Sequence, residues 1–174
     1  MDEGEVAAGT APPSSAAALG LDALGLDGLG FVDQWDHKID AKGRLFLPAD
    51  VRSAFFDGAM MAPGPERVLE IYPLAAFARR QRRLRARSTA DAEQRRLLRF
   101  LHHSAHRTTP DAQGRIVLPS RLRDLAGLDR EVVIAGVDDR LEVWDRERHR
   151  AEFAGYEGLW DLDEPTPEGQ DAPW

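Results

Sequence analysis

Two short runs of residues could do chemistry, and they share one spacing. Asp40-Ala41-Lys42-Gly43-Arg44 stands in the first half of the chain and Asp111-Ala112-Gln113-Gly114-Arg115 in the second. Lys and Arg neutralise phosphates, Arg donates in pairs to guanine O6 and N7, and Gln reads adenine. Aspartate at the head of such a run bonds its carboxylate to the backbone just ahead, and glycine tolerates a positive φ, so each run is suited to a tight turn. Lys42, Arg44, Gln113 and Arg115 are therefore the candidate contacts to DNA. Asp40, Gly43, Asp111 and Gly114 are the candidate turn organisers. Lys38 joins the first set as a nearby cation, while Arg52, Arg121 and Arg123 are suited to positioning on phosphates or to supporting the fold.

One such turn would be commonplace, since an ordinary hairpin with a solvated arginine explains it equally well. Repetition changes that reading. The phrase continues over 40–52 and 111–123, an offset of 71, with seven of thirteen positions identical. The match resumes at Leu69-Glu70-Ile71-Tyr72 and Leu141-Glu142-Val143-Trp144, one residue further on at an offset of 72. A long period seen twice is no solenoid. It predicts one small unit duplicated into a pseudo-dimer, with its site present twice.

The elements that must position these residues follow the same parse in each unit. Residues 31–39 are strand-like, 40–43 a turn, and 44–47 a second strand. Pro48, whose missing N–H costs nothing in a first helical turn, opens a short helix to about Phe56. Residues 60–62 and 68–72 are further strands about a Pro63-Gly64-Pro65 turn. The second unit repeats this with strands at 115–118, 131–135 and 141–144, a helix at 119–126 and a turn at 136–139. Between the units, 74–107 carries Leu74, Phe77, Leu84, Leu97, Leu98 and Leu101 as an apolar stripe near helical spacing. Ser88 or Thr89 is a fair cap where that stretch breaks into two helices. A shorter helix is expected over 145–153. The domain division is 1–30 as a disordered extension rich in Ala, Gly, Pro and Ser, 31–73 as unit one, 74–107 as a helical insert, 108–153 as unit two, and 154–174 as an acidic disordered tail.

Charge is distributed along the same divisions. The chain has 174 residues and a net charge of −7, but residues 1–36 and 151–174 each hold seven acids and no bases. Residues 37–110 hold fifteen bases against seven acids, and 111–150 hold eight against nine. A basic body is the footprint of a polyanion partner, although arginine-rich helices are also common as solvated faces. The 74–107 stretch alone carries ten arginines and two acids. With no cysteine, disulfides and thiolate metal sites are excluded. The apolar runs are too short for a membrane span, and no Lys or Arg precedes Lys38, so a cytoplasmic protein is expected.

Other constellations are weaker. His102 and His106 could share a helix face as metal-binding pairs do, with His103 beside them, but no third ligand is evident and surface histidines at a helix end are the better reading. No nucleophile–base pair, phosphate loop or carboxylate dyad has supporting context, so neither an enzyme nor a cofactor is expected. Tyr72 and Trp144, at matching strand ends, are expected in a core or an interface.

Two Asp-x-x-Gly-Arg turns, each followed by an apolar strand and a Pro-led helix, resemble the MraZ family of bacterial transcription regulators. Ile71-Tyr72-Pro73, Arg95-Arg96-Leu97-Leu98 and Leu141-Glu142-Val143-Trp144-Asp145 add to the resemblance, which covers about 31–153. Phe31 stands nine residues before Asp40 as in that family, while Asp33 occupies a place where the family carries glycine, and the 30-residue extension is atypical of it. The resemblance implies an α+β fold: two pseudo-symmetric AbrB-like swapped-hairpin units closing a small barrel, with the helical insert after the first. It implies a sequence-specific, nucleoid-associated regulator that binds short direct repeats of double-stranded DNA as a ring-like homo-oligomer, upstream of a division and cell-wall gene cluster. Multivalency fits the chemistry, since one small turn buries little. Two rival expectations are an antitoxin-like AbrB relative that holds a protein through its acidic tail, with Trp160 and Trp174, and a metal-dependent enzyme using the histidines.

Overall fold

The computed structural model describes residues 30–88 and 92–156. Nearly all of the expected N-terminal extension, residues 157–174 of the acidic tail and Thr89 lie outside the described residues. The chain runs β1 (Gln34–Lys38), β2 (Arg44–Phe46), a 3-10 turn (Arg52–Phe55), β3 (Ala59–Pro63), β4 (Leu69–Pro73), α1 (Leu74–Ser88), α2 (Ala92–Ser104), β5 (His106–Thr108), β6 (Arg115–Val117), α3 (Ser120–Ala126), β7 (Glu131–Val137), β8 (Arg140–Asp145) and α4 (Arg146–Phe153). The fold is α+β.

Strand order carries the duplication into space. One antiparallel sheet runs β1-β7-β8-β4-β3-β5, and β2 and β6 form a separate two-stranded ribbon. The order is palindromic under exchange of the two units. The first strand of each unit pairs with the third of the other, as β1 with β7 and β5 with β3, and β8 meets β4 at the centre. The ribbon is likewise one strand from each unit, with Arg44 opposite Val117, Leu45 opposite Ile116 and Phe46 opposite Arg115. The expected closed barrel is not formed: among the described residues no pairing joins the sheet's edge strands β1 and β5. The ribbon strands are three residues each, too short to bridge those edges, and they close the core by packing instead.

Alternation along the strands divides the apolar residues between two faces. Leu69 and Ile71, Leu141 and Val143, and Val132 and Ile134 point into the main core, where the ribbon supplies Leu45 and Ile116, the segment after β2 supplies Leu47 and Phe55, and α3 supplies Leu122. On the opposite face Tyr72 packs with Ala76 and Phe77 of α1, and Trp144 stacks edge-on with His149 and Phe153 of α4. Tyr72 and Trp144 are buried, as their matching strand-end positions predict. Glu70 is buried there too, bonded by Arg80 of α1 at 2.6 Å and by Arg140 at 3.3 Å. Burial pushes its carboxyl above the usual range, against the pull of both arginines. An arginine-rich helix is thus partly a clamp on a buried acid.

Three local expectations change. The helix predicted from Pro48 is a series of i to i+3 bonds ending in the 3-10 turn, whereas its counterpart over Ser120–Ala126 is a true α-helix. The first copy places Asp50, Val51 and Ser53 where the second has Arg121, Leu122 and Asp124, and β-branched and short polar residues hold a helix less well. The strand predicted over 31–39 is interrupted because Asp33 takes φ 80°, leaving Phe31 on an isolated bridge to Asp138. That conformation suits glycine, which explains the residue expected at this place. Finally, the helix predicted to run to 107 ends at Ser104, and β5 begins at His106. The break expected near Ser88 falls between α1 and α2, across residues outside the described ones.

Candidate nucleic-acid interface

Each Asp-x-x-Gly-Arg run folds into the same closed turn. In the first, Asp40 N–H donates to Arg44 O at 3.0 Å and Gly43 N–H to Asp40 O at 2.9 Å. Asp40 Oδ1 accepts from the N–H groups of Lys42 and Arg44 at 2.8 and 2.9 Å, and Oδ2 accepts from Arg44 Nε at 2.7 Å. In the second, the same five bonds measure 2.9, 2.8, 2.9, 3.0 and 2.7 Å. Gly43 and Gly114 take φ 73° and 77°, a region where a side chain is strained. One carboxylate therefore holds two backbone amides and one guanidinium in each copy.

These bonds set the charge of the aspartates. The backbone N–H of Arg44 is the main cause holding the Asp40 carboxyl below its usual value, with the Arg44 guanidinium and the Lys42 N–H adding to it against partial burial. The Arg115 guanidinium, followed by the Arg115 backbone N–H, holds Asp111 down to about 2. Both are charged acceptors at neutral pH, committed to the turn rather than aimed outward.

The ribbon joins the turns. They precede β2 and β6 of an antiparallel pair, so they flank the ribbon at its two ends. Leu45 and Ile116 point inward and are fully buried. Alternation then puts Arg44 and Phe46, Arg115 and Val117 on the outer side. Diagonal neighbours on such a face stand about 7–8 Å apart, which is the relation of Arg44 to Arg115. Lys42 and Gln113 extend the line as the exposed tips. Neither arginine is freely exposed. Their side chains are 30% and 23% exposed, with Nε of each bonded to the turn aspartate. Their fixed placement lowers the ordering cost of a bidentate contact.

The remaining cations all meet groups of the fold itself, which for the three arginines is one of the two expected roles. Lys38 lies opposite Glu131 in the sheet and pairs with it at 2.9 Å. Arg121 Nη1 donates to His103 O at 2.9 Å, pinning the end of α2. Arg52 and Arg123 lie against the glycines of the opposite unit's turn, Arg52 on Gly114 and Arg123 on Gly43. Sequence reasoning missed the apolar part of the surface. Phe46 and Val117 are 44% and 53% exposed, and Arg115 lies over the Phe46 ring at 5.8 Å. The signal was available, since both sit two residues beyond an outward arginine on a strand. An apolar group here suits a thymine methyl. Beside the second turn, Arg52, Phe56, Pro110, Asp111, Ala112 and Gly114 line a cleft of about 250 Å³.

The histidines do not share a helix face. His102 and His103 end α2, while His106 stands on β5, and all three are exposed. Among the described residues no group of three or more His, Asp or Glu is placed to hold a metal. Among the same residues no helix is long and apolar enough to cross a membrane.

The duplication is also seen in the comparisons with known proteins. The family model described as "MraZ protein, putative antitoxin-like" matches residues 31–100 and again 101–156. A protein named Transcriptional regulator MraZ from Dehalococcoides mccartyi is 37% identical over 140 residues, 79% of this chain and 99% of that one. One of the same name from a Nocardioides species is 39% identical over 137 residues, 78% of this chain and 95% of its own length. Another, from Salinispora arenicola, is 41% identical over 109 residues, 63% of this chain and 77% of that protein. With both copies of the turn inside the matched segments, this chain belongs to the MraZ family.

Proposed function

We propose that this protein is a DNA-binding transcriptional regulator, and that the ribbon with its two turns is the surface that reads the double helix. The observation that supports this best is the single outward line of Lys42, Arg44, Arg115 and Gln113, interleaved with Phe46 and Val117 and held by two matching carboxylate locks. The Lys42 cation at one end serves phosphates, and the planar groups of Arg44, Arg115 and Gln113 serve base edges. In this reading Lys38 and the turn organisers Asp40, Gly43, Asp111 and Gly114 support the surface. The names of the relatives point to the same function.

The target is a set of short direct repeats upstream of a division and cell-wall gene cluster, bound by a ring-like homo-oligomer that makes the protein nucleoid-associated. One ribbon is a small contact, so affinity must come from linked copies. The interleaving of units supports reading the fold as a swapped-hairpin arrangement of the AbrB-like kind, with the helical insert as the segment added between them.

Footprinting on the DNA upstream of the protein's own gene is the direct test. Protection in evenly spaced short blocks is expected, together with a mass above the monomer in light scattering. Protection that follows no sequence, or a monomer at micromolar concentration, would overturn the proposal. The family description favours one second reading, an antitoxin-like module whose acidic tail holds a protein. A pull-down with residues 154–174 as bait separates the two.

A further inference from the structure

We infer that Arg52 and Arg123 are positioning residues, each of which fixes the turn of the opposite unit. The inference rests on the DNA-binding reading of that surface. A Cβ placed on Gly114 would run into the guanidinium of Arg52, and one placed on Gly43 would lie 3.5 Å from the guanidinium of Arg123. Each arginine thus covers a turn glycine that belongs to the other copy. The backbone repeats the exchange. Leu47 N–H donates to Gly114 O at 2.9 Å, and Leu118 N–H donates to Gly43 O at 2.8 Å. Arg52 completes a circuit by donating from Nη2 to Leu47 O at 3.0 Å, so the two backbone groups of Leu47 link the arginine to the glycine it covers.

The Nε atoms show that this placement is kept at a cost. Arg52 Nε and Arg123 Nε are both buried without a hydrogen-bond partner. A buried donor left unpaired is unfavourable, and such groups in a folded protein call for a reason. Here the same orphaned atom occurs at both symmetry-related places, which makes it a property of the arrangement rather than of one site. It also accounts for the repeated phrase. Its fourth residue, Gly43 or Gly114, and its thirteenth, Arg52 or Arg123, are the same in both copies. They meet across the units, not within one.

The test uses the full chain with Arg52→Ala, Arg52→Lys and Arg123→Ala. The free protein is measured first, by amide NMR and hydrogen exchange. Arg52 variants are expected to move the amides of Gln113, Gly114 and Arg115 while sparing Lys42, Gly43 and Arg44, and Arg123→Ala to do the converse. Perturbation confined to the substituted unit, or spread evenly over both turns as a general loss of stability would spread it, overturns the lock. Arg52→Lys keeps the charge and serves where Arg52→Ala does not fold.

Binding is then read on a labelled duplex of the DNA upstream of the gene. Positioning predicts that Arg52→Lys loses about tenfold or more in affinity, the scale of one base-edge contact, and loses nearly as much as Arg52→Ala. Near-normal binding by Arg52→Lys, with a salt slope lowered by about one only in Arg52→Ala, would make Arg52 a phosphate contact and overturn the inference. Normal binding by every variant removes the positioning role and leaves the proposed function standing. Failure of the unsubstituted protein to bind removes the proposed function, and the amide shifts alone then decide whether the lock exists.

Discussion

The two turns are alike where they are closed and unlike where they are flanked. Their internal hydrogen bonds agree to within 0.1 Å, and their glycines share one backbone conformation. Around them the copies have diverged. The first carries Lys42 at its tip, and Arg123 covers its glycine at ordinary contact distance. The second carries Gln113, is pressed by Arg52, engages Asp111 through Arg115 Nη2 as well as Nε, and borders the cleft with Phe56 and Pro110. At the corresponding places the first turn has Gly127 and the buried Ile39. Duplication has preserved the mechanism that aims an arginine and has released the residues that surround it. A surface of two equal locks with unequal tips can read an asymmetric sequence, which a strict dimer of one unit cannot.

The largest effect is expected from the aimed arginines. Arg44→Ala and Arg115→Ala should each weaken specific DNA binding by about 1–3 kcal/mol per copy, compounded over an oligomer. Similar losses in a gel shift would establish that both locks face the DNA. A loss confined to Arg44→Ala would leave only the first unit in contact, and no loss in either would remove the ribbon as the binding surface.

Next come the glycines. Both positive φ values make alanine costly, by roughly 1–3 kcal/mol for a strained residue. Gly114→Ala should exceed Gly43→Ala in denaturant unfolding, because its new methyl would collide with Arg52 while that at Gly43 would meet only Leu118 O at 3.3 Å and Arg123 at 3.5 Å. The reverse order would show that the closeness of the covering arginine is not what separates the two turns.

A smaller change should follow from exchanging the tips. Lys42→Gln removes a phosphate partner, so the slope of log K against log salt should fall by about 0.9 per phosphate lost, on operator and random DNA alike. Gln113→Lys should add a similar amount while relaxing sequence preference. An unchanged slope in both would mean that the tips do not approach the backbone of the DNA.

How these copies fit together was only partly legible. The turns could be read because Asp, Gly and Arg at fixed spacing leave one economical backbone path, and the buried alternation about Leu45 and Ile116 followed from the strand period. Partners could not be read. A repeat states that two strands are equivalent, yet β1 with β7 satisfies the same apolar pattern as a pairing within one unit would. β5 was hidden because His106, Arg107 and Thr108 carry no strand signature and adjoin a helix. The offset of 71 would have placed it, since it carries β1 onto this segment. Arg52 and Arg123 stayed open between positioning on phosphates and supporting the fold, because composition reports charge and not what lies beneath it. The exposed tips have no such constraint, and only chemistry suggested their role.

The last difference between the turns is their response to acid. Both aspartates ionise more readily in the folded chain than the ordinary value of 3.8, so the contribution of each lock is fully present above that value and is lost as pH falls below it. Asp111 is held down to about 2, chiefly by the Arg115 guanidinium, which reaches it through Nη2 as well as Nε, while Asp40 is lowered chiefly by the Arg44 backbone N–H. As the solution is acidified, the first turn should therefore open before the second. Carboxyl NMR titration of the free protein would show it directly, with the midpoint of Asp40 above that of Asp111. Asp111→Asn should remove more of the acid-dependent stability than Asp40→Asn, since an amide keeps one acceptor for the backbone N–H groups but cannot hold a guanidinium by charge. Coincident midpoints would mean that the second nitrogen of Arg115 on Asp111 adds nothing to the lock, and that the copies differ only in their tips and flanks.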